Sequence, residues 1–441
     1  MKGMLSTGKF AFAAICFFGA IANATAADAW QEADIDGLLE AGQVVDADGY
    51  VLKDKGGNAL VPNCAFGSLP PPLGQPFKFF WQAGDPGNKN LLIFHDGGGA
   101  CWNRDTCLSP LAALSDPTVR TAYDPTISES PEGLALAGGI LSEDESQKNP
   151  FKGWTKVFIP YCTGDVGWGN NDATYDGVPF PVHHRGYANV RLVVRWLQQQ
   201  YAHSAAPEKI AVTGVSAGAY AAPGTVFPEV KKIFPRAQTY LLADSGNGVV
   251  TNSFLDSAEE NWKFKNTLPV YLANVVDGQA LGLPVRFYGV LTWLFPKTRF
   301  GQFQNAFDSI QTIIYATMKG VDPSALDQQT VLALALEWSA QMRLATNLAA
   351  AAPNGNYRFY TAAGSEHGIL VNVPDNIGFV ADQFYSENSA RSPRGKLSFR
   401  DWTADMIWKE PKDLRTSSWQ NATCFPYCLP TQPGIAFLTA P

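Results

Sequence analysis

From residue 90 onward, short apolar runs alternate with longer stretches whose apolar residues recur at helical spacing. Leu91–Phe94 reads as a buried strand, and Lys156–Pro160 (KVFIP) as another. Tyr187–Tyr201 has helical periodicity, and Lys209–Thr213 (KIAVT) is again a strand pattern. Ala217–Phe227 follows as a helix, Thr239–Ala243 as a strand and Arg299–Gln304 as a strand. The segment QTIIYATM (311–318) and Leu326–Ala350 read as helices, and Tyr357–Thr361 as a last strand. Strands alternating with helices in this way predict an α/β fold, a mostly parallel central sheet covered by helices on both faces. Ligands of such sheets sit outside the carboxyl ends of the strands, so chemistry is expected at strand-to-helix turns. Residues 27–88 are Gly/Pro-rich and read as loops with short edge strands, and 376–441 as a surface-wrapping tail. The expected organisation is one domain over 27–441.

The first 26 residues differ from all of this. Lys2 and Lys9, an apolar run over Phe10–Ile21 and the ending Ala24-Thr25-Ala26 make a secretory signal peptide, cleaved near Ala26. Its removal takes the formal charge from −7 to −9, since it carries two lysines and no acids. An acidic chain without a basic run does not neutralise phosphates, which excludes nucleic acid as a partner. No later stretch is apolar and long enough to span a bilayer. The expected location is therefore secreted or periplasmic.

Of seven cysteines, six remain after loss of Cys16, an even number that suits disulfides in an oxidising compartment. The sequence-local pairs are Cys101–Cys107 and Cys424–Cys428, which leaves Cys64 with Cys162. A zinc site lacks both CxxC spacing and a histidine accompanying these cysteines.

Gly214-Val215-Ser216-Ala217-Gly218 fits the G-x-S-x-G pattern. It directly follows the apolar run IAVT and precedes an Ala-rich helix, the strand-turn-helix context of a nucleophile elbow. A serine hydroxyl needs a base to take its proton. Of the five histidines, His203 ends a surface helix, His95 precedes the glycine run and braces it, and His183-His184 read as a hydrogen-bonded pair. His367, in the loop after the last strand, stands where a hydrolase base belongs. A carboxylate between Ser216 and His367 is needed to orient the ring, and Asp244, Asp277 and Asp308 all follow apolar runs. Asp308 comes off the next-to-last strand and stands narrowly ahead of Asp277. Gly97-Gly98-Gly99 close the first clear strand; the N–H groups of Gly98 and Gly99, with that of Ala217, are the candidate oxyanion donors.

These segments together resemble the pectin acetylesterase/Notum family. GGGAC (97–101) is similar to that family's oxyanion loop, NPFKGWTKVFIPYCTGD (149–165) to its strand ending in Tyr-Cys, and HHRGYANV (183–190) to its Arg-Gly helix start. VTGVSAGAY (212–220), LLADSGNG (241–248), NAFDSIQT (305–312) and GSEHGIL (364–370) continue the likeness in order. The resemblance runs from about 90 to 375. It implies an α/β-hydrolase fold, ester hydrolysis, and Asp308 as the acid. Where the family has an aromatic before the loop cysteine, this chain has Ala100, which reshapes the acyl end of the pocket.

The resulting expectation is a secreted serine carboxylic-ester hydrolase with Ser216, Asp308 and His367 as catalytic residues and no metal or organic cofactor. Trp102, Asp165 and Trp168 are expected to meet the substrate. The first substrate class is an O-acetylated polysaccharide. A second is esters of longer acyl groups, for which the apolar stretch 281–295 would form a lid, a buried helix or strand being the alternative. From another class comes a hydrolase fold that binds without turning over.

Overall fold

The computed structural model describes residues 29–116, 118–276, 280, 282–322, 327–353, 355–371, 390–392, 395–425 and 428. The expected leader and its cleavage site, and Asp277, lie outside these residues.

The sheet strands, in chain order, are β1 (Gln31–Glu32), β2 (Phe80–Gln82), β3 (Asn90–His95), β4 (Thr155–Ile159), β5 (Lys209–Val215) and β6 (Gln238–Asp244). They continue with β7 (Arg299–Asn305), β8 (Tyr357–Ala362), β9 (Ala390–Ser392), β10 (Gly395–Leu397) and β11 (Ala422–Thr423). Their order across the sheet is β1-β2-β4-β3-β5-β6-β7-β8-β11-β9-β10. From β4 to β11 every pairing is parallel; β1 and β2 on one side, and β9 and β10 on the other, are antiparallel. The continuous apolar runs are the strands buried on both faces, as parallel strands under two helix layers must be.

Registers align the strand ends. His95 pairs with Gly214, Val215 with Asp244, Asp244 with Phe303, and Asn305 with Ala362. The loops after β3, β5, β6, β7 and β8 therefore leave from one edge. The chain steps outward from β3 to β4 and then returns to the other side of β3 as β5, so the strand order reverses between β3 and β5. The crevice at such a reversal is where ligands bind.

The helices around the sheet include α1 (Arg104–Ser115), α2 (Gly186–Gln200), α3 (Ala217–Ala221), α4 (Phe227–Ile233), α5 (Asn252–Trp262), α6 (Leu283–Leu294), α7 (Ser309–Met318), α8 (Gln328–Ala350) and α9 (Phe399–Trp408). The single helix expected over 217–227 is broken. A π turn spans Ala222–Val226 between α3 and α4, because Pro223 and Pro228 lack the N–H groups that a regular ladder needs. Within the stretch 281–295, Leu283–Leu294 is a helix with a buried inner face of Leu283, Phe287 and Leu291, and Trp293 pointing outward.

The expectation of a surface-wrapping tail is corrected for its described part. Phe399, Trp402 and Met406 of α9, and Trp419, are buried against Phe303 and Tyr360 on one face of the sheet. A segment so rich in large aromatics removes too much apolar surface from water to lie outside.

Three disulfides join Cys64 to Cys162, Cys101 to Cys107 and Cys424 to Cys428. A histidine does accompany one of them, contrary to the sequence reading: His184 Nε2 lies 3.9 Å from Cys107 Sγ. Both sulfurs there are committed to the bridge, and His184 Nδ1 is held by the Thr163 carbonyl at 3.0 Å. His183 bonds Ser68 and Asp172, so the pair is hydrogen-bonded as expected. No helix among the described residues is long and apolar enough to cross a membrane.

Candidate active site

β5 ends at Val215 and the chain turns at once into α3. Ser216 stands at the turn with φ 54° and ψ −117°, a conformation that a residue with a side chain adopts only under constraint. Two backbone bonds supply that constraint. Its N–H donates to the Asp244 carbonyl at 2.8 Å, and its carbonyl accepts from Ala219 N–H at 3.0 Å. Only glycine fits at 218, because a Cβ there would lie 2.1 Å from the carbonyl oxygen of His95 at the end of β3.

The glycine run approaches from that same strand. A Cβ on Gly97 would lie 2.9 Å from Cβ of Ser216, so the run passes directly beside the serine. Gly99, at φ 78°, has room for no side chain against the Ala122 carbonyl. Among the described residues the N–H groups of Gly98, Gly99 and Ala217 have no acceptor, whereas Gly97 N–H is taken by Asp96. Three bare donors beside a serine can hold an oxyanion. His95 braces the loop as expected, its Nδ1 bonded to the Asp96 carbonyl at 2.9 Å; burial drives its pKa down to about 4, so it is a neutral strut. Burial likewise raises Asp96 to about 8.

Beyond the run, Cys101 is tied to Cys107 of α1. The Cys101 carbonyl accepts from Trp262 Nε1 at 2.8 Å, and the Trp102 carbonyl from Asn261 Nδ2 at 2.9 Å. The end of α5 thus grips the loop.

Asp308 leaves β7 and caps α7, accepting from Gln311 N–H at 2.9 Å, which suits a carboxylate at a helix start. Fully buried, it also accepts from Gln304 Nε2 at 2.6 Å. Both its oxygens meet His367 Nδ1, at 2.8 and 3.0 Å. That bond assigns Nδ1 as the protonated nitrogen of the neutral ring and leaves Nε2 basic. The two loops are zipped by Phe307 N–H to Gly364, Ser309 N–H to Ser365 and Asn305 Nδ2 to Glu366.

Asp244, one of the alternative acids, does not reach the ring. Its buried carboxylate accepts from Ile369 N–H (2.6 Å), Leu370 N–H (2.8 Å) and Ser245 Oγ (2.9 Å), and Ser245 Oγ accepts from Gly368 N–H (2.9 Å). It holds the histidine loop from below, while its own carbonyl holds Ser216. This role was missed in the sequence, where its only signal is a carboxylate at the end of the strand next to the elbow.

Ser216, Gly99 and Ala217 open onto a cleft of about 490 Å³, its mouth included. Phe254 and Leu255 of α5, Leu283 of α6, and Ile314 and Met318 of α7 wall it, with Ala100 and Trp168. The i, i+4 spacing of Ile314 and Met318 puts both on one face of α7. Of the three expected substrate contacts, Trp168 lines this cleft. Trp102 stands behind it, edge-on to Phe254 at 5.0 Å. Asp165 is corrected to a buried structural residue: its carboxylate accepts from Thr163 Oγ1 and the N–H groups of Gly167, Gly169 and Gly186. Burial raises its pKa to about 6 despite these donors.

Residues 74–280 match the family model of pectinacetylesterase. The chain is 34% identical over 131 residues to the palmitoleoyl-protein carboxylesterase NOTUM of Schmidtea mediterranea, covering 30% of this chain and 22% of that protein. It is 27% identical over 88 residues to an inactive palmitoleoyl-protein carboxylesterase, notum1b of Danio rerio, covering 20% of this chain and 58% of the relative. The matches thus span less than two thirds of these relatives. The structure of the Wnt deacylase Notum from Drosophila superposes with a TM-score of 0.52 at 17% identity, over 76% of this chain and 87% of that one. The fold is therefore the expected α/β-hydrolase.

Proposed function

We propose that this chain, a member of the pectin acetylesterase/Notum family, is a serine carboxylesterase that hydrolyses esters of aliphatic acyl groups longer than acetyl. The observation that carries the reading is the Asp308–His367 bond at the same sheet edge as a strained Ser216 and three free N–H donors. His367 Nε2 takes the proton of Ser216 as its oxygen attacks the ester carbonyl. Asp308 stabilises the imidazolium, and Gly98, Gly99 and Ala217 stabilise the tetrahedral oxyanion. The alcohol leaves with the proton from His367, and water repeats the sequence on the acyl-enzyme.

The acyl class rests on the cleft. Its walls are aliphatic and aromatic, and Ala100 leaves open the space beside Gly99. An acetyl group would leave most of that surface uncovered, whereas each further methylene buried there contributes ~0.8 kcal/mol. That relatives are named as acting on palmitoleoyl-protein supports the same reading. Removal of O-acetyl groups from a polysaccharide is the second reading, favoured by the family model matched over 74–280.

The test is hydrolysis of 4-nitrophenyl esters from acetate to decanoate by wild type and Ser216→Ala, with a fluorophosphonate probe for the nucleophile. Activity rising with chain length beyond acetate and absent in the variant supports the proposal. A peak at acetate transfers it to the second reading. No turnover and no labelling would sink both, and leave a hydrolase fold that only binds.

A further inference from the structure

A second cleft of about 310 Å³ adjoins the first and shares with it the walls Trp168, Tyr220 and Leu283. α3 contributes Ala219 and Tyr220 to its wall, and Ser216 does not line it. Gly246 permits a close approach to α3: a Cβ there would lie 2.5 Å from Cβ of Ala219, so the chain passes close under the elbow and delivers the next residue to the cleft wall. That residue is Asn247. Around it the cleft is lined mostly by apolar groups, Pro223, Pro284 and Phe287 among them, together with Tyr220 and Tyr288.

Asn247 is 2% exposed, and neither Oδ1 nor Nδ2 has a hydrogen-bond partner among the described residues. A buried amide is ordinarily satisfied, because leaving it unpaired costs as much as the bond it forgoes. Here an unpaired donor and an unpaired acceptor belong to one residue of the cleft wall, which also carries Tyr288, its hydroxyl likewise without a partner among the described residues. A hydroxyl group, which donates and accepts at a single oxygen, answers both; a ketone or ester carbonyl answers only Nδ2.

Resting on the esterase reading above, we infer that the second cleft is a subsite for a hydroxyl group carried on the acyl chain, with Asn247 as its partner. The substrate class is esters of hydroxyalkanoic acids. The acyl chain leaves Ser216 through the first cleft, and its hydroxyl reaches Asn247 past the Trp168–Tyr220 wall. A site built to bond a hydroxyl discriminates against the analogue that lacks it, since its polar group is then left unpaired.

The experiment compares kcat/KM for octanoyl esters bearing one hydroxyl at C3, C5 or C7, their keto counterparts, and plain octanoate. One hydroxyl position is expected to exceed plain octanoate by about tenfold, with the matching ketone in between. In Asn247→Leu the ratio of hydroxylated to plain ester should fall to one or below; taking the ratio within a single variant removes any effect of folding. Calorimetry with the free hydroxy and plain acids on Ser216→Ala reads the same preference without turnover. If esters are not hydrolysed but the hydroxy acid still binds more tightly, the esterase reading fails and the subsite stands. If no hydroxyl position is favoured in either measurement, the subsite is overturned.

Discussion

Asp244 and Ile369 stand 125 residues apart, yet the carboxylate of the first accepts the N–H of the second at 2.6 Å. Through its carbonyl, Asp244 also holds the N–H of Ser216. One residue thus sets the position of both the elbow and the histidine loop. Asp244→Ala is expected to lower kcat by about 10²-fold, since small displacements of reacting groups are that costly. Asp244→Asn should restore most of it, because the amide oxygen can still take both N–H groups and its NH₂ can give to Ser245 Oγ. The rate of fluorophosphonate labelling should follow kcat. Equal losses in the two variants would contradict a positioning role.

Asp308 does two things, and substitutions separate them. Asparagine keeps an oxygen for Gln311 N–H but gives up the charge that stabilises the imidazolium. Asp308→Asn is expected to retain the melting temperature while kcat falls roughly 10⁴-fold. Asp308→Ala should lose activity similarly and also about 1 kcal/mol of stability, for the missing helix cap. Denaturant titration alongside kinetics checks both halves.

Ala100→Phe places a ring in the cleft beside Gly99. The ratio of kcat/KM for decanoate to that for acetate should drop at least tenfold, by about the free energy of two buried methylenes. The 4-nitrophenyl ester series measures it directly, and an unchanged ratio would remove Ala100 from the acyl site.

The acids Asp96, Asp165 and Asp244 share a pH signature. Burial is the leading cause in each, raising them to about 8, 6 and 6. A carboxyl whose folded pKa lies above its unfolded one contributes stability that is complete below the unfolded pKa and is lost as pH rises through the folded value. The melting temperature should therefore fall as pH rises from about 4 to about 8, with Asp96 alone responsible above about 6. Asp96→Asn, which mimics the protonated acid, should match wild type near pH 4 and exceed it increasingly as pH rises through about 8. Thermal scans across that range decide it.

Most of the sheet is legible in the chain because its strands are continuous apolar runs, and each of the runs over 91–94, 209–213 and 357–361 lies within an observed strand. The elbow is legible for a local reason, that its glycines, serine and flanking strand are contiguous. What escaped is non-local. Asp165 and Asp244 look alike in sequence, each an acid near a strand end, and only the folded chain shows which N–H groups surround them. The helical pattern over 217–227 contains Pro223 and runs into Pro228, which break the regular ladder. The segment around α9 was taken for a strap because its aromatics come after the last motif, although they complete the core on the far face of the sheet.

The grip of Asn261 and Trp262 on the oxyanion loop has a consequence for how such an enzyme can change. α5 supplies Phe254 and Leu255 to the acyl wall and, at its other end, holds the carbonyls of Cys101 and Trp102. A substitution that tilts this helix to admit a different acyl group also tilts the donors that stabilise the oxyanion. On this side of the cleft, substrate preference and catalytic rate are inherited as one mechanical trait, and a lineage that shifts one must repair the other.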